Sequence, residues 1–311
     1  MDLVITDNLT PKELRKIKKG FKAPVRNLEK NKKVASYIKK HGVYGSMTSS
    51  PERLRKASTV LSIILTNPYI RKMYINLPRK YRNRDIYKKQ DIRYIKSIDP
   101  RIQINWLEED IGPISKILPS LQNIRDKKAI VISFDDDVFY PPSLVNELIY
   151  YSIQYPYLIP GGAGFSFGDM EDFIERINWP ENRKPRFPDV DVIAGRGAIA
   201  YRKEMVDLNF IKKLNKIGTV CKLSDDLTLS YSHASYGIKR KIISNRYFSG
   251  NEDVFPLEYG LGEGALHKGS GTDHVGAYDA NMIKYKECLN LIFEKINSGL
   301  TYKLILTNAI S

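Results

Sequence analysis

Short apolar runs alternate along this chain with longer stretches whose apolar residues recur every three or four positions, and this alternation predicts the fold. Val43 to Thr48, Met73 to Leu77, Ile102 to Trp106, Ala129 to Phe134 and a last run from Ile238 to Ile243 read as strands. Between them, Leu54, Ala57, Val60, Leu61 and Ile64 keep the helical period after Ser50 and Pro51, Ile114 to Ile124 reads as a helix, and Pro142-Ser143 opens another carrying Leu144, Val145, Leu148 and Ile149. Strands alternating with helices predict a mostly parallel sheet with crossover connections.

Further along, Gly161, Gly162 and Gly164 mark a tight turn, and Asp169 to Pro188 reads as a long polar and aromatic loop. Val190 to Tyr201 is a strand interrupted by Gly195 and Gly197, and Ser224-Asp225-Asp226 starts a helix running toward His233. Residues 1–41 are charged and weakly periodic, with Thr10 and Pro11 placed as N-cap and first helical residue, and predict a basic helical appendage. The sheet domain is expected over residues 42–290, with a C-terminal helix or tail, 291–311, packed against it.

Composition narrows the class. With 311 residues, 42% hydrophobic and 27% charged, the chain can bury a substantial core. No stretch approaches the roughly 18 apolar residues that span a bilayer, and the N-terminus lacks signal-peptide character, so a soluble cytoplasmic protein is expected, with peripheral membrane contact left open. Cys221 and Cys288 lie far apart without metal spacing; they predict neither a disulfide nor a zinc site and fit a reducing compartment. The net charge of +15 steers polyanions in general, and its runs at Lys12 to Lys22, Lys30 to Lys40 and Arg79 to Lys89 read ordinarily as solvated basic faces.

The chemistry centres on the end of the fourth apolar run, where Phe134 is followed by Asp135, Asp136, Asp137 and then Tyr140-Pro141-Pro142. Acids just beyond a buried strand lie where α/β sheets collect ligands, and they suit a hard divalent cation that bridges phosphate oxygens. An Asx-type turn is the structural alternative, although three adjacent carboxylates repel one another. A calcium loop starting at Asp135 fails, because it needs Gly at Tyr140 and Glu at Asn146. Asp110, Gly112, Pro113 and Lys116 form a strand-end acid, a turn and a lysine able to reach phosphate, although a lone lysine there is ordinarily solvated. Asp225 and Asp226 either cap their helix or present one carboxylate to a cleft as general base. Gly195 and Gly197 imitate a dinucleotide fingerprint without its following acid, and fit better as a strand against which substrate packs. His267 and His274 sit in a glycine-rich stretch and are the imidazoles available to manganese.

In their order along the chain, Thr48 to Leu54, Asp110-x-Gly112-Pro113-x-x-Lys116, Phe134 to Pro141 and Ser224-Asp225-Asp226 resemble the glycosyltransferases of the GT-A fold, closest to family 2-like enzymes. The resemblance covers roughly residues 42–290. It implies an α/β fold with a Rossmann-like, mixed but mostly parallel sheet. It also implies transfer of a sugar from a nucleotide-diphosphate sugar, a UDP-sugar by preference, to a hydroxyl of a glycan, protein or lipid, with inversion and with Mn²⁺ or Mg²⁺. Carried onto this chain, Asp137 is the metal ligand, with Asp135 and one of His267 or His274 completing the set, and Asp135 also contacts the ribose with Asp136 assisting. Ser49, Pro51 and Arg53 lie beside the nucleotide, with Asp110, Lys116, Gly195 and Gly197 lining the donor site. Asp226 is the base and Asp225 the second choice.

Three other classes account for less. A haloacid dehalogenase-type phosphatase wants Thr or Val where Phe139 stands. A nucleotidyltransferase wants a better glycine-rich loop than Gly45 to Ser50, and a nucleic-acid-binding protein leaves both acid clusters unexplained.

Overall fold

The structure, a computed structural model, describes residues 9–81, 86–167, 177–178, 189–243, 254–261 and 277–296. Its helices are α1 (Pro11–Phe21), α2 (Lys32–His41), α3 (Ser58–Ile64), α4 (Lys89–Ile98), α5 (Leu118–Asn123), α6 (Pro142–Gln154), α7 (Leu208–Ile217), α8 (Thr219–Lys222), α9 (Asp225–Ser235) and α10 (Ala277–Ile296). Its strands are β1 (Val43–Met47), β2 (Ile70–Pro78), β3 (Ile102–Leu107), β4 (Ile130–Ser133), β5 (Val138–Phe139), β6 (Leu158–Gly161), β7 (Gly164–Phe167), β8 (Ile177–Asn178), β9 (Val192–Ile193), β10 (Ile199–Arg202), β11 (Lys239–Ile242) and β12 (Phe255–Pro256).

Seven strands form the central sheet in the order β11-β6-β10-β4-β1-β2-β3. Every pairing is parallel except those of β10, which runs against β4 and β6. The fold is therefore the expected one, a mixed and mostly parallel sheet flanked by helices. Continuous apolar runs make such strands because both faces are covered. Successive residues of β4 show this: Ile130 and Ile132 join a core with α2, α3 and α6, while Val131 joins a second core with α5, α7 and α9.

Several boundaries differ from the sequence pattern. The helix expected from Ser50 begins only at Ser58, because residues 51–57 form successive turns anchored by hydrogen bonds from Arg53 N and Leu54 N to the Ser50 carbonyl. The helix expected from Ile114 to Ile124 is split into a 3₁₀ turn, Pro113–Lys116, and α5. The glycine-interrupted strand becomes β9, a 3₁₀ turn at Gly195–Gly197 and β10, and this turn is where the chain reverses to make the antiparallel strand. The run at Lys239–Ile242 is not the last strand, since β12 pairs with β5.

The helices of the basic N-terminal segment are packed onto the sheet: Ile17, Leu28, Val34 and Ile38 are buried in the same core as β1 and β4. A third core joins α7, α8, α9 and α10. Here the cysteine reading is corrected. Cys221 and Cys288 form a disulfide with Cα atoms 4.8 Å apart, because packing of α10 on α8 brings together residues that are 67 apart in sequence. Their spacing therefore no longer argues for a reducing compartment. Among the described residues no helix is long and apolar enough to cross a membrane.

Candidate active site

Topology decides where the acids meet. From β1 the chain adds β2 and β3 on one side, then returns to place β4 on the other, so the strand order reverses between β1 and β4. The crevice beyond the carboxyl ends at such a reversal is where open α/β sheets bind ligands. Ser49 and Arg53 follow β1 there, and Asp135, Asp136 and Asp137 follow β4.

The acid turn is held from several directions. Asp136 is buried; it accepts the Ser49 hydroxyl at 2.5 Å and pairs with Arg53 Nη2 at 3.1 Å. Arg53 Nη1 reaches Asp137 Oδ2 at 2.7 Å. The Asp135 N–H donates to the Tyr140 hydroxyl at 2.9 Å, and the Tyr259 hydroxyl donates to the Asp136 carbonyl at 2.5 Å. Burial, with Asp136 and Asp135 beside it, raises the Asp137 carboxyl to about 7 against the pull of Arg53.

A second knot forms around Lys116. Its Nζ lies 3.0 Å from Asp225 Oδ2, 3.3 Å from Asp135 Oδ1 and 3.8 Å from Asp226 Oδ1. Burial alone would favour the neutral amine, but Asp135, Asp225 and Asp226 more than offset it and hold the lysine charged. The lysine that sequence alone leaves as ordinarily solvated is thus 7% exposed and shared by two acid clusters. Asp225 and Asp226 open α9, and Asp226 Oδ1 accepts the Gly195 N–H at 3.0 Å. Burial and the Asp225 charge raise the Asp226 carboxyl to about 7, with Lys116 opposing.

The glycines have a steric reason. A Cβ on Gly195 would stand 2.2 Å from Lys116 Nζ, and one on Gly197 would stand 2.2 Å from the Ala163 N. The remaining expected residues are less central. Pro51 begins the turns that deliver Arg53. The Asp110 carboxylate accepts the Gly112 N–H at 2.9 Å and its carbonyl accepts from Lys222, so it braces the wall next to α8. His267 and His274 lie outside the described residues.

Three tyrosines complete the surroundings without having been expected. The Tyr87 hydroxyl donates to the Ser49 carbonyl at 2.7 Å, Tyr259 holds the acid turn, and Tyr285 of α10 stacks on Phe165 with ring centroids 5.7 Å apart. Burial raises the Tyr285 hydroxyl, and the charges of Asp226 and Asp225 add to that effect. Nothing local marks these residues in a chain with 20 tyrosines.

A divalent cation is the group these acids imply. Among the described residues, no three of His, Cys, Asp and Glu are gathered to hold one alone. The donor set is nonetheless suitable: among the described residues, five carboxylates share ion pairs with two cations, Lys116 and Arg53, a surplus of hard anionic oxygen. Magnesium in particular binds through one or two carboxylates and completes its coordination with substrate phosphates and water. The residues fit a cation held jointly with a diphosphate.

No protein-family model matches the chain, and neither does any curated protein sequence. Among solved structures the chain is similar to GalNAc-T7, crystallised with UDP, GalNAc and Mn²⁺, at a TM-score of 0.49 and 12% identity over 93% of this chain. The chain spans 58% of that neighbour's length.

Proposed function

We propose that the protein is a metal-dependent glycosyltransferase that moves a sugar from a nucleotide-diphosphate sugar, a UDP-sugar by preference, to an acceptor hydroxyl with inversion. The observation that carries this is the meeting of strand-end Asp135 with the helix-start pair Asp225 and Asp226 on a single buried Lys116 Nζ, at the point where strand order reverses.

In this scheme Asp226 is the general base. Its Oδ1 is fixed by the Gly195 N–H, and its raised pKa suits it to accept a hydroxyl proton near neutrality. Lys116 keeps its charge and orients Asp225 and Asp135, and its field favours negative charge developing on a departing diphosphate. Asp135 faces the ribose. Arg53 and Ser49 lock the acid turn so that Asp137 presents its carboxylate to the cation, with Asp136 as buried support. The bound cation, Mn²⁺ or Mg²⁺, supplies Lewis-acid stabilisation of the leaving diphosphate. Gly195 lets Lys116 approach Asp226, and Gly197 lets its turn pack on the Gly162–Ala163 backbone, so that both shape the wall of the donor site.

The test is a screen of UDP-, GDP- and other nucleotide-sugars for hydrolysis and transfer, with and without Mn²⁺, on wild type, Asp137→Ala and Asp226→Asn. Turnover of one donor that requires metal and is lost in both variants is expected. Absence of turnover and of any donor-induced thermal shift overturns the proposal.

A further inference from the structure

Positive charge is concentrated in the helices at the start of the chain. Residues 9–41 hold twelve Lys and Arg against Glu13 and Glu29, a net of +10 out of +15 for the whole chain. Glu13 is buried, where it caps α1 and accepts the Glu258 N–H at 2.8 Å, and Arg26 pairs with Glu147 at 2.9 Å. Around the connection between α1 and α2, Lys18, Lys19 and Lys22 on one side and Lys30, Lys32 and Lys33 on the other are exposed. Among the described residues none of these six forms an ion pair.

Between the two groups stand Pro24 and Val25, both exposed, Val25 at 46%. Leu28 is fully buried and Asn146 Nδ2 donates to the Arg26 carbonyl at 2.7 Å, so the connection is seated on the fold and its Pro-Val tip is left outside. Arg26 covers the Tyr150 ring at 4.0 Å, and at the end of the same helix Tyr155 is 53% exposed, so amphipathic aromatic surface continues beside the tip.

Helix stability accounts for some of these charges and not for others. α1 obeys the helix field, with Glu13 in its first turn and Lys18 and Lys19 in its last. α2 opposes it: Lys32 and Lys33 occupy a first turn that holds no acid, where the partial positive charge of the free N–H groups disfavours cations. Folding gives no reason for these two lysines, whereas an external anionic partner does.

We propose that the α1–α2 connection docks the protein on an anionic lipid surface, with Pro24 and Val25 entering the interface and the six lysines facing lipid headgroups. Lysines as mobile point charges suit a diffuse anionic surface, whereas recognition of individual phosphates favours the arginine fork; of the two arginines in residues 9–41, Arg26 is already paired. An exposed valine between two lysine groups gains nothing from a nucleic-acid backbone but is buried by a bilayer interface. Docking here is independent of the transfer chemistry proposed above.

The test is co-sedimentation of the full chain with phosphatidylcholine vesicles, with and without phosphatidylserine, beside binding to single-stranded and duplex RNA. Wild type is expected to bind the anionic vesicles at least about tenfold more tightly than the neutral ones, and less tightly as salt rises. Lys22→Gln/Lys32→Gln/Lys33→Gln should weaken that binding about 100-fold, and Val25→Asp about tenfold. The urea midpoint of the triple variant should stay level or rise, because two of its lysines oppose the field of α2. Lys212→Gln/Lys213→Gln/Lys216→Gln removes the same charge from exposed positions of α7, on the other face of the sheet, and should leave vesicle binding within about twofold. No vesicle binding by wild type, equal binding of neutral vesicles, or equal weakening by the α7 variant overturns the proposal. RNA binding through the same lysines together with vesicle binding indifferent to Val25→Asp also overturns it, in favour of a nucleic-acid surface.

Discussion

Gly195 lacks a side chain where Lys116 takes the space: a β-carbon there would stand 2.2 Å from the lysine Nζ and 3.0 Å from Asp226 Oδ1. Gly195→Ala therefore displaces the lysine and strains the hydrogen bond that fixes the base. Misplacement by about 1 Å costs on the order of 100-fold in rate, so kcat should fall by about that factor. The urea midpoint should move only modestly, because overpacking at one flexible lysine head costs about 1 kcal/mol. Steady-state kinetics beside a urea titration checks both.

Lys116→Met removes the cation from three carboxylates while keeping most of the side-chain volume. Breaking a buried ion pair by deleting one partner costs about 3–5 kcal/mol, and with the lysine side chain only 9% exposed the upper part of that range applies. Chemical denaturation at pH 7.5 measures the loss. Repeating it at pH 5 should show a smaller one, because the abandoned carboxylates then take up protons.

Activity should rise with pH through about 7, as Asp226 loses its proton and becomes competent as a base. Stability should move the other way. The Asp226 carboxyl is raised in the fold from 3.8 to about 7, so between those values the folded chain holds more protons than the unfolded chain, and stability falls as pH rises across that window. Asp226→Asn should abolish transfer and flatten this part of the stability profile. A pH–rate profile and thermal melts across pH 4–8 report the two effects.

Most of the fold was legible because burial on both faces turns strands into uninterrupted apolar runs, as at Ala129 to Phe134. The acid turn was legible for the same reason, since charge ending such a run is conspicuous. What was hidden depended on distance along the chain. Lys116 looks like a surface lysine until Asp225 is folded against it, and Cys221 and Cys288 become partners only through the packing of α10 on α8. The helix expected at Ser50 was displaced because Arg53 is held toward the acid turn, a tertiary demand that periodicity does not record.

Metal removal should separate binding from architecture. With EDTA present, donor turnover should vanish while the circular dichroism spectrum and melting temperature of the ligand-free protein stay unchanged, because Arg53 and Lys116 already stabilise the acids. Adding Mn²⁺ together with UDP should raise the melting temperature of wild type but not of Asp137→Ala.

Reduction of Cys221–Cys288 opens a cross-link spanning 67 residues, and loop-closure entropy puts its contribution at about 4 kcal/mol. Treatment with a dithiol, or Cys288→Ser, should lower the denaturation midpoint accordingly. It should also reduce turnover, because α8 leads directly into Asp225 and Asp226.

Completion of the acid turn waits on a part of the chain made much later. The Leu257 N–H binds the Asp137 carbonyl, and the hydroxyl of Tyr259, 123 residues beyond Asp136, binds the Asp136 carbonyl. A nascent chain that has emerged as far as Ile243 can assemble all seven strands of the central sheet, yet its three adjacent acids lack these last two restraints. The last restraints on the acid turn are thus acquired after the scaffold, once Leu257 and Tyr259 have been made, so a chain that stops at Ile243 can hold the sheet without a finished turn.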